Sequence, residues 1–262
     1  MKERESERMA GELAEASYSF DYDGHCPVCD QDVTFHASGP YFRNTLICPI
    51  CQSRPRHRAL MYAIERMLPR WREYSVHESS PGWDAISIRL QKNCANYIAS
   101  QYDTSHSPGA IVPTKMPYKT YRCENLECQT FEDEIFDLVV TQDVFEHINR
   151  PDLAIREIAR TLKTGGAFIA TVPIVRKLRP SQRRAKINDG EIVHLMDPEY
   201  HGNPLNKGGS IVTIDWGYDI VSYLQHHSQL NFLLLQVDNI EFGIRADLNE
   251  VLIGLKRPIP SL

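Results

Sequence analysis

The pattern of apolar and polar positions is clearest over residues 136–173, where two apolar runs flank an amphipathic segment. Phe136–Thr141 is short and rich in β-branched residues, which is typical of a buried parallel strand. From Pro151 onward apolar residues recur at helical spacing, and a Gly-Gly pair supplies the turn after them. Ala167–Val172 is a second apolar run. The pattern predicts a strand–helix–strand unit with a right-handed crossover.

Polar residues lie at the carboxyl end of the first of these strands and directly after it. They are Thr141, Gln142, Asp143, Glu146 and His147. Open α/β sheets bind their ligands at the carboxyl ends of the strands. The sequence therefore predicts a binding site at this edge of the sheet.

Further apolar runs predict the rest of an α/β domain around this unit. Strands are predicted over Tyr74–Glu78, Tyr97–Tyr102, Tyr121–Cys123, Asn231–Val237 and Val251–Leu255. Helices are predicted over residues 56–68, 85–90 and 218–226.

Residues 174–217 interrupt this alternation with a polar segment that is rich in His, Tyr and Gly and has little apolar periodicity. Long irregular segments inside a compact domain usually work as lids or binding surfaces. We interpret this one as a substrate cap. The alternative is a structural insert whose His and Tyr residues satisfy each other.

Two C-x-x-C pairs stand near the N-terminus, Cys26 with Cys29 and Cys48 with Cys51, and 18 residues separate them. Two such pairs provide the four thiolates of a tetrahedral zinc site, and the spacer is long enough for a short hairpin. Four protein ligands leave no open position for catalysis, so the metal would be structural. The alternative is a group of reduced structural thiols.

Composition places the chain among ordinary globular proteins, with 262 residues, 42% hydrophobic residues, 24% charged residues and a net charge of −5. No apolar run approaches the roughly 18 residues that span a membrane, and the charged N-terminus lacks the apolar core of a signal peptide. We expect a cytoplasmic protein with no membrane partner. The negative charge disfavours constitutive nucleic-acid binding. Arg54, Arg56 and Arg58 form either a solvated helix face or an anion-binding patch.

The strand FDLVV, the segment DVFEHI, the helix ending LKTGG and the strand ending VP together resemble the second half of a class I S-adenosylmethionine-dependent methyltransferase. The resemblance covers residues 73–256. It implies an α/β fold with a Rossmann-like, seven-stranded, mostly parallel sheet, helices on both faces and an antiparallel hairpin at one edge. Three regions are then expected: a polar lead over residues 1–22, a zinc ribbon over 23–55, and a methyltransferase domain over 56–262 with its cap at about 174–217.

The resemblance also implies where S-adenosylmethionine would bind. The cofactor would meet the ends of four neighbouring strands and the glycine-containing loop after the first of them. The matching residues are Glu78, Ser80 and Gly82; Gln101, with Asp103 as the alternative; Asn125 and Leu126, with Glu124 as the alternative; and Thr141, Gln142 and Asp143. The chain departs from the family pattern at Ser80 and Asp84, where glycine is usual, and at Gln101, where an acidic residue is usual.

Methyl transfer to a hydroxyl group requires alignment of the acceptor and a base. His147, His194 and His201 are candidate bases, because an unperturbed histidine titrates near pH 6.5. Asp215 is placed to orient one of them. The predicted function is a methyltransferase that modifies a small-molecule, sugar or peptide acceptor by O- or N-methylation.

Two other functions stay open on the sequence. One is an RNA or ribosome methyltransferase that holds RNA with the zinc ribbon and the basic residues between 176 and 186, in which case salt would weaken binding steeply. The other is a non-catalytic binding protein with a degenerate cofactor pocket. An oligomer is compatible with each of these functions.

Overall fold

A computed structural model describes residues 18–188, 190–203 and 205–257 of the chain. Most of the predicted polar lead, Asp189, Pro204 and the last five residues of the predicted methyltransferase domain lie outside the described residues. Among the described helices, none has the length and apolar character that crossing a membrane requires.

The described part of the chain begins with an antiparallel three-stranded ribbon in which the second strand lies in the middle. Val33, Phe35 and Ala37 of this strand are buried and the residues between them are exposed, so one face of the ribbon packs against the protein. The ribbon consists of β1 Phe20–Cys26, β2 Gln31–Ala37, the short helix α1 Phe42–Thr45 and β3 Leu46–Ile47.

The remaining elements are strands and helices. The helices are α2 Pro55–Met67, α3 Ala85–Asn93, α4 Pro151–Thr161 and α5 Ile220–His227. The strands are β4 Ser75–Ser79, β5 Asn96–Gln101, β6 Ile111–Pro113, β7 Thr120–Cys123, β8 Phe136–Gln142, β9 Leu162–Thr171, β10 Gln182–Arg183, β11 Ala185–Asn188, β12 Glu191–His194, β13 Tyr200–His201, β14 Ser210–Ile211, β15 Ile214–Asp215, β16 Leu230–Leu235 and β17 Val251–Lys256. Strands and helices alternate from α2 to β5 and from β8 to β9, whereas β5 to β8 and β9 to β15 follow one another without an α-helix between them.

Eight strands form the central sheet, in the order β16-β17-β9-β8-β4-β5-β7-β6. The five neighbouring strands β9, β8, β4, β5 and β7 run parallel to one another, whereas β17 pairs antiparallel with both β9 and β16. The mostly parallel sheet and its antiparallel edge hairpin are thereby confirmed. The sheet has one strand more than the predicted seven, because the three-residue β6 pairs antiparallel with β7. This strand lies in a segment rich in Ser, Pro and Gly, where the sequence predicts a loop.

Helices cover both faces of the sheet, as predicted. Within β8, Leu138 and Val140 belong to one apolar cluster, together with α2, α3 and the ribbon. Val139, between them, belongs to a second cluster, together with α4 and α5. Successive side chains of a strand point to opposite faces, and here both faces are buried.

The order of the strands reverses between β4 and β8. From β4 the chain passes outward through β5 to β7, and from β8 it passes outward through β9 in the other direction. Open α/β sheets bind ligands in the crevice at such a switch point, beyond the carboxyl ends of the strands.

The described residues of the cap, between positions 174 and 217, form three two-stranded ladders, which pair β10 with β15, β11 with β12, and β13 with β14. The cap is joined to the loop after β8 through its backbone: the Glu146 carbonyl accepts a hydrogen bond of 2.7 Å from the Thr213 N–H. The insert therefore folds against the predicted ligand edge of the sheet.

Candidate functional site

The four cysteines of the ribbon converge on one point. The Sγ atoms of Cys26 and Cys51 are 3.7 Å apart, those of Cys29 and Cys48 are 3.8 Å apart, and all four lie within 4.8 Å of one another. A tetrahedron with zinc–sulfur bonds of about 2.3 Å has edges of roughly 3.8 Å. Burial and the neighbouring sulfur atoms raise the pKa of the Cys29 thiol to about 12. A cation would remove this obstacle to ionisation, so the donor set fits zinc.

Glu78 lies at the carboxyl end of β4, where the sequence places the first cofactor-binding residue. Its carboxylate is fully buried and accepts hydrogen bonds from the Ser87 hydroxyl at 2.8 Å, the Tyr97 hydroxyl at 2.7 Å and the Gln142 amide at 2.8 Å. Burial, followed by the charge of Asp84, raises the pKa of Glu78 to about 7. These contacts connect four elements, because Glu78 lies in β4, Ser87 in α3, Tyr97 in β5 and Gln142 in β8.

The loop after β4 has the backbone of a glycine-containing loop although its sequence differs. Ser80 has φ of +55°, a conformation that favours glycine, which explains why the family usually has glycine there. Asp84 caps helix α3: its carboxylate accepts bonds from the Ile86 and Ser87 N–H groups at 2.9 and 3.0 Å. A Cβ atom added at Gly82 would meet only Asp84, at an ordinary 3.5 Å, so packing within the protein does not require glycine there.

Gln101 ends β5 beside this loop. Its amide donates to the Pro81 carbonyl at 2.9 Å and to the Tyr118 hydroxyl at 2.7 Å, and the Tyr118 hydroxyl in turn donates to Pro81. The alternative ribose-binding residue, Asp103, accepts bonds from Tyr121 and from the Ser105 backbone. The Ser105 hydroxyl, the Tyr121 hydroxyl and the Ser105 backbone N–H lower the pKa of Asp103. Gln101 therefore lies closer to the cofactor loop, while Asp103 holds its own turn.

At the end of β7, the two candidates for the polar residue of the adenine subsite have different contacts. Glu124 is buried and bonded to Arg122 at 2.6 Å and to the Thr130 N–H at 2.8 Å, so its carboxylate is occupied by the protein. The side chain of Asn125 accepts only a local bond from the Glu127 N–H at 2.9 Å among the described residues. Leu126 is buried next to it.

The fourth wall of the predicted pocket is the end of β8. The Thr141 hydroxyl is buried and has no hydrogen-bond partner within the described chain. The Gln142 amide reaches Glu78, and Asp143 has φ of +50°. All four predicted strand ends therefore meet along one edge of the sheet.

Two arginines, Arg43 of the ribbon and Arg56 of α2, reach this edge of the sheet. The sequence did not predict that they would meet there. Arg43 and Arg56 contact the same carboxylate oxygen of Asp143, at 2.9 and 3.1 Å. Burial lowers the pKa of Arg56. Arg58, by contrast, is fully buried and donates to the Leu46 and Gly243 carbonyls. The basic residues after the second C-x-x-C pair thus have different roles, and only Arg56 of them pairs with Asp143.

A second group of potential ligands lies at the junction of the cap and β8. The Oε1 atom of Glu146 is 3.7 Å from Nε2 of His147 and 3.6 Å from Nδ1 of His201. The Nδ1–H of His147 donates to the Ile211 carbonyl at 2.8 Å. The Glu146 carboxylate raises the pKa of His201, and Glu199 lies 3.3 Å from the other ring nitrogen. Two of the three candidate bases therefore meet at one carboxylate.

The other predicted catalytic residues lie elsewhere on the cap. His194 is exposed on β12 and does not belong to the Glu146 group. Asp215 accepts a bond of 2.8 Å from Arg184, so among the described residues it orients an arginine and not a histidine. The sequence shows no periodicity that distinguishes His201 from His194. The two histidines differ only in the fold, where the pairing of β13 with β14 brings His201 to Glu146.

The basic segment after β9 is largely engaged by the protein itself. Lys177 pairs with Glu250 at 2.8 Å, Arg184 pairs with Asp215, and Arg183 donates to the Asn149 carbonyl at 2.8 Å. These contacts leave less free positive charge for RNA than the sequence suggests.

A family described as a methyltransferase domain matches residues 78–170. This stretch begins at Glu78 and contains all nine residues of the predicted cofactor site as well as His147. No curated protein sequence matches the chain significantly.

Solved methyltransferases have similar structures at low sequence identity. A glycopeptide N-methyltransferase in complex with S-adenosyl-L-homocysteine aligns with a TM-score of 0.50 and 13% identity, covering 79% of this chain and 91% of its own. An S-adenosylmethionine-dependent methyltransferase from Mesorhizobium loti aligns with a TM-score of 0.46 and 15% identity, over 76% of this chain and 98% of its own. At this level of identity the first of these alignments shows the fold alone.

Proposed function

Since this chain carries a class I S-adenosylmethionine-dependent methyltransferase domain, we propose that it methylates a hydroxyl or amino group of a small-molecule, sugar or peptide acceptor that binds beneath the cap. One observation carries the proposal. The predicted cofactor-binding strand ends lie along one edge of the sheet, and the cap brings His201 to Glu146 and His147 at the same edge.

The cofactor would lie across the ends of β4, β5, β7 and β8. Ser80 and Gly82 would let the backbone approach it, Gln101 would face the ribose, and Asn125 and Leu126 would face the adenine ring. Glu78, Thr141, Gln142 and Asp143 would support the methionine side. When bound, S-adenosylmethionine supplies an electrophilic methyl group on a sulfonium.

The protein's own contribution is alignment of the acceptor and acceptance of its proton. His147 and His201 are the candidates that the fold places together. The hydrogen bond from Nδ1 of His147 to a backbone carbonyl requires that Nδ1 carry the proton, which leaves Nε2 as an acceptor that faces Glu146. His194 stays a third candidate, on the exposed hairpin of the cap.

Calorimetric titration with S-adenosylhomocysteine tests the cofactor site. We expect micromolar binding by the wild type and at least tenfold weaker binding by Gly82→Val. The space around Gly82 accepts a Cβ atom, so the added side chain would obstruct the ligand and not the fold. Gly202→Val is the control, because nothing lies within 4 Å of a Cβ atom there and the residue is outside the predicted cofactor site. Absence of binding by the wild type at millimolar ligand would overturn the proposal.

A second measurement separates an enzyme from a non-catalytic binding protein. Transfer of label from methyl-labelled S-adenosylmethionine to a panel of sugars, peptides and small hydroxylated or amino compounds supports the enzyme. Cofactor binding with no transfer to any acceptor class, and none to RNA, would favour the binding protein.

We further propose that Cys26, Cys29, Cys48 and Cys51 hold a structural zinc ion. The sulfur separations of 3.7 and 3.8 Å support this assignment, because they match the edges of a zinc–thiolate tetrahedron. Since all four positions are thiolates, the ion would stabilise the ribbon and would take no part in methyl transfer.

A further inference from the structure

Glu146, His147 and His201 form a group that adds a carboxylate to the two imidazoles, which a pair of candidate bases would not require. Glu146 and His147 are adjacent on the loop after β8, whereas His201 comes from β13 of the cap. One ligand atom of each lies within 4.8 Å of the others. The cap hairpin is thus held where a single ion would contact both segments.

The carboxylate of Glu146 lacks the partners that a buried acid requires. The residue is 1% exposed, and neither carboxylate oxygen has a hydrogen-bond partner among the described residues. The Oε1 atom is 3.6 Å from an imidazole nitrogen of His201 and 3.7 Å from one of His147, which is too far for a hydrogen bond. Burial of an unpaired carboxylate is costly, and buried charges are usually paired or coordinate a metal. The described charged groups closest to this carboxylate are histidines, which are also metal ligands.

His147 is oriented as metal-binding histidines usually are. Its Nδ1–H donates to the Ile211 carbonyl at 2.8 Å, so the tautomer is fixed and the lone pair of Nε2 points toward Glu146. Ligating histidines characteristically donate their other N–H to a backbone carbonyl or carboxylate, which also makes the ligand more basic. Ile211 belongs to β14, the partner strand of β13, so one hairpin both orients His147 and supplies His201.

We propose that Glu146, His147 and His201 bind a divalent transition-metal ion. Imidazole and carboxylate ligands together suit Zn²⁺, Mn²⁺, Fe²⁺ or Co²⁺. Ligand atoms about 2.1 Å from one ion lie roughly 3.0 to 3.4 Å apart. The separations of 3.7 and 3.6 Å between the Glu146 oxygen and the two imidazole nitrogens would therefore shorten by only a few tenths of an ångström on binding. Three protein ligands leave positions open for water or another molecule.

The location of the proposed ion indicates a role in binding the acceptor, and this role rests on the proposed function. The group lies at the carboxyl end of β8 and under the cap, where the acceptor is proposed to bind. The open positions would take oxygen atoms of a hydroxylated acceptor. The proposal therefore favours hydroxyl-bearing acceptors, including sugars, over simple amines.

Cobalt titration of the full chain, purified with its ribbon zinc in place, tests the site. We expect one equivalent of Co²⁺ to produce visible d–d bands without the near-ultraviolet band of cobalt–sulfur coordination, since the ligands are nitrogen and oxygen. Glu146→Gln keeps the shape of the side chain and should weaken this binding at least 100-fold, as should His201→Ala. His226→Ala is the control, because this histidine is exposed on α5, and it should bind cobalt as the wild type does.

Two results would overturn the inference: no visible cobalt band in the wild type, or an unchanged band in both Glu146→Gln and His201→Ala. S-adenosylhomocysteine binding is measured on the same samples. Normal ligand binding without a cobalt site would refute the metal alone, whereas absent ligand binding would refute the proposed function independently of cobalt. Folding of each variant is checked by its thermal unfolding midpoint, and Glu146→Gln decides the matter if His201→Ala is unstable.

Discussion

Glu78 shows how one residue can combine stable hydrogen bonding with an unfavourable charge. Three donors surround its carboxylate, yet burial and Asp84 together raise its pKa to about 7. A raised pKa means that the folded state binds the proton more tightly than the unfolded state does. The contribution of this proton to stability is complete below the ordinary pKa of a glutamate and is lost as the pH rises toward 7.

We therefore expect the stability of the wild type to fall relative to Glu78→Gln as the pH rises from 5 to 8. A shift of this size corresponds to about 3 kcal/mol at most. Urea denaturation at the two pH values measures the free energy of unfolding, and the difference between the two proteins cancels contributions that they share, including proton binding by the cysteines.

Glu132→Gln is the control for this experiment, because Glu132 is exposed. It should follow the pH dependence of the wild type. If Glu78→Gln also followed the wild type, ionisation of Glu78 would not differ between the folded and unfolded states.

At the scale of elements, the cap divides its histidines between two hairpins. The ladder of β13 and β14 brings His201 to Glu146, whereas the ladder of β11 and β12 leaves His194 exposed. The backbone bond between Thr213 and Glu146 anchors the first arrangement to the sheet. The cap therefore holds its two candidate bases at different positions, which mutation can separate.

We expect His201→Ala to lower kcat at least about 100-fold, whether the imidazole accepts a proton or binds an ion. The affinity for S-adenosylhomocysteine should stay within twofold of the wild type, since His201 lies outside the predicted cofactor site. His194→Ala should retain kcat within a few-fold. Turnover of labelled cofactor with the acceptor that the wild type methylates is the measurement; the reverse result would place the chemistry on β11 and β12.

The elements differ in how well the sequence predicted them. Phe136–Gln142 was predictable because a parallel strand buried on both faces is a continuous apolar run. The ladders of the cap and β6 were not, because each strand has only two to four residues and shows no period. The convergence of the four cysteines was predictable because two C-x-x-C pairs with this spacing are typical of zinc-binding ribbons. The contact of Arg43 with Asp143 was not, since these residues are 100 positions apart and no local pattern selects the partner.

At the scale of the whole molecule, the ribbon and the sheet share one hydrophobic core. Phe35 and Leu46 of the ribbon belong to the same cluster as Leu60 of α2 and Val140 of β8. Polar contacts reinforce this union: the buried Arg58 of α2 donates to the Leu46 carbonyl of the ribbon, at 2.8 Å, and to the Gly243 carbonyl. The predicted boundary near residue 55 is thus a boundary of motifs and not of independent cores.

Because the core is shared, removal of the proposed zinc should destabilise more than the ribbon. Zinc binding to a structural site contributes directly to folding free energy. The ribbon covers α2 and contributes Arg43 to the Asp143 contact, so its loss should affect the methyltransferase domain as well. We expect Cys48→Ser, or chelation of the wild type, to lower the midpoint of a single thermal transition by more than about 10 °C and to weaken S-adenosylhomocysteine binding.

Cys128→Ser is the matched control, since this thiol is exposed and lies outside the cluster. It should melt as the wild type does and keep one equivalent of zinc on the ribbon. An independent ribbon would behave differently: chelation would split the melting curve into two transitions and leave cofactor affinity unchanged. Since the shared core is continuous from β2 to β8, a split curve would require that these contacts contribute little free energy, which their complete burial argues against.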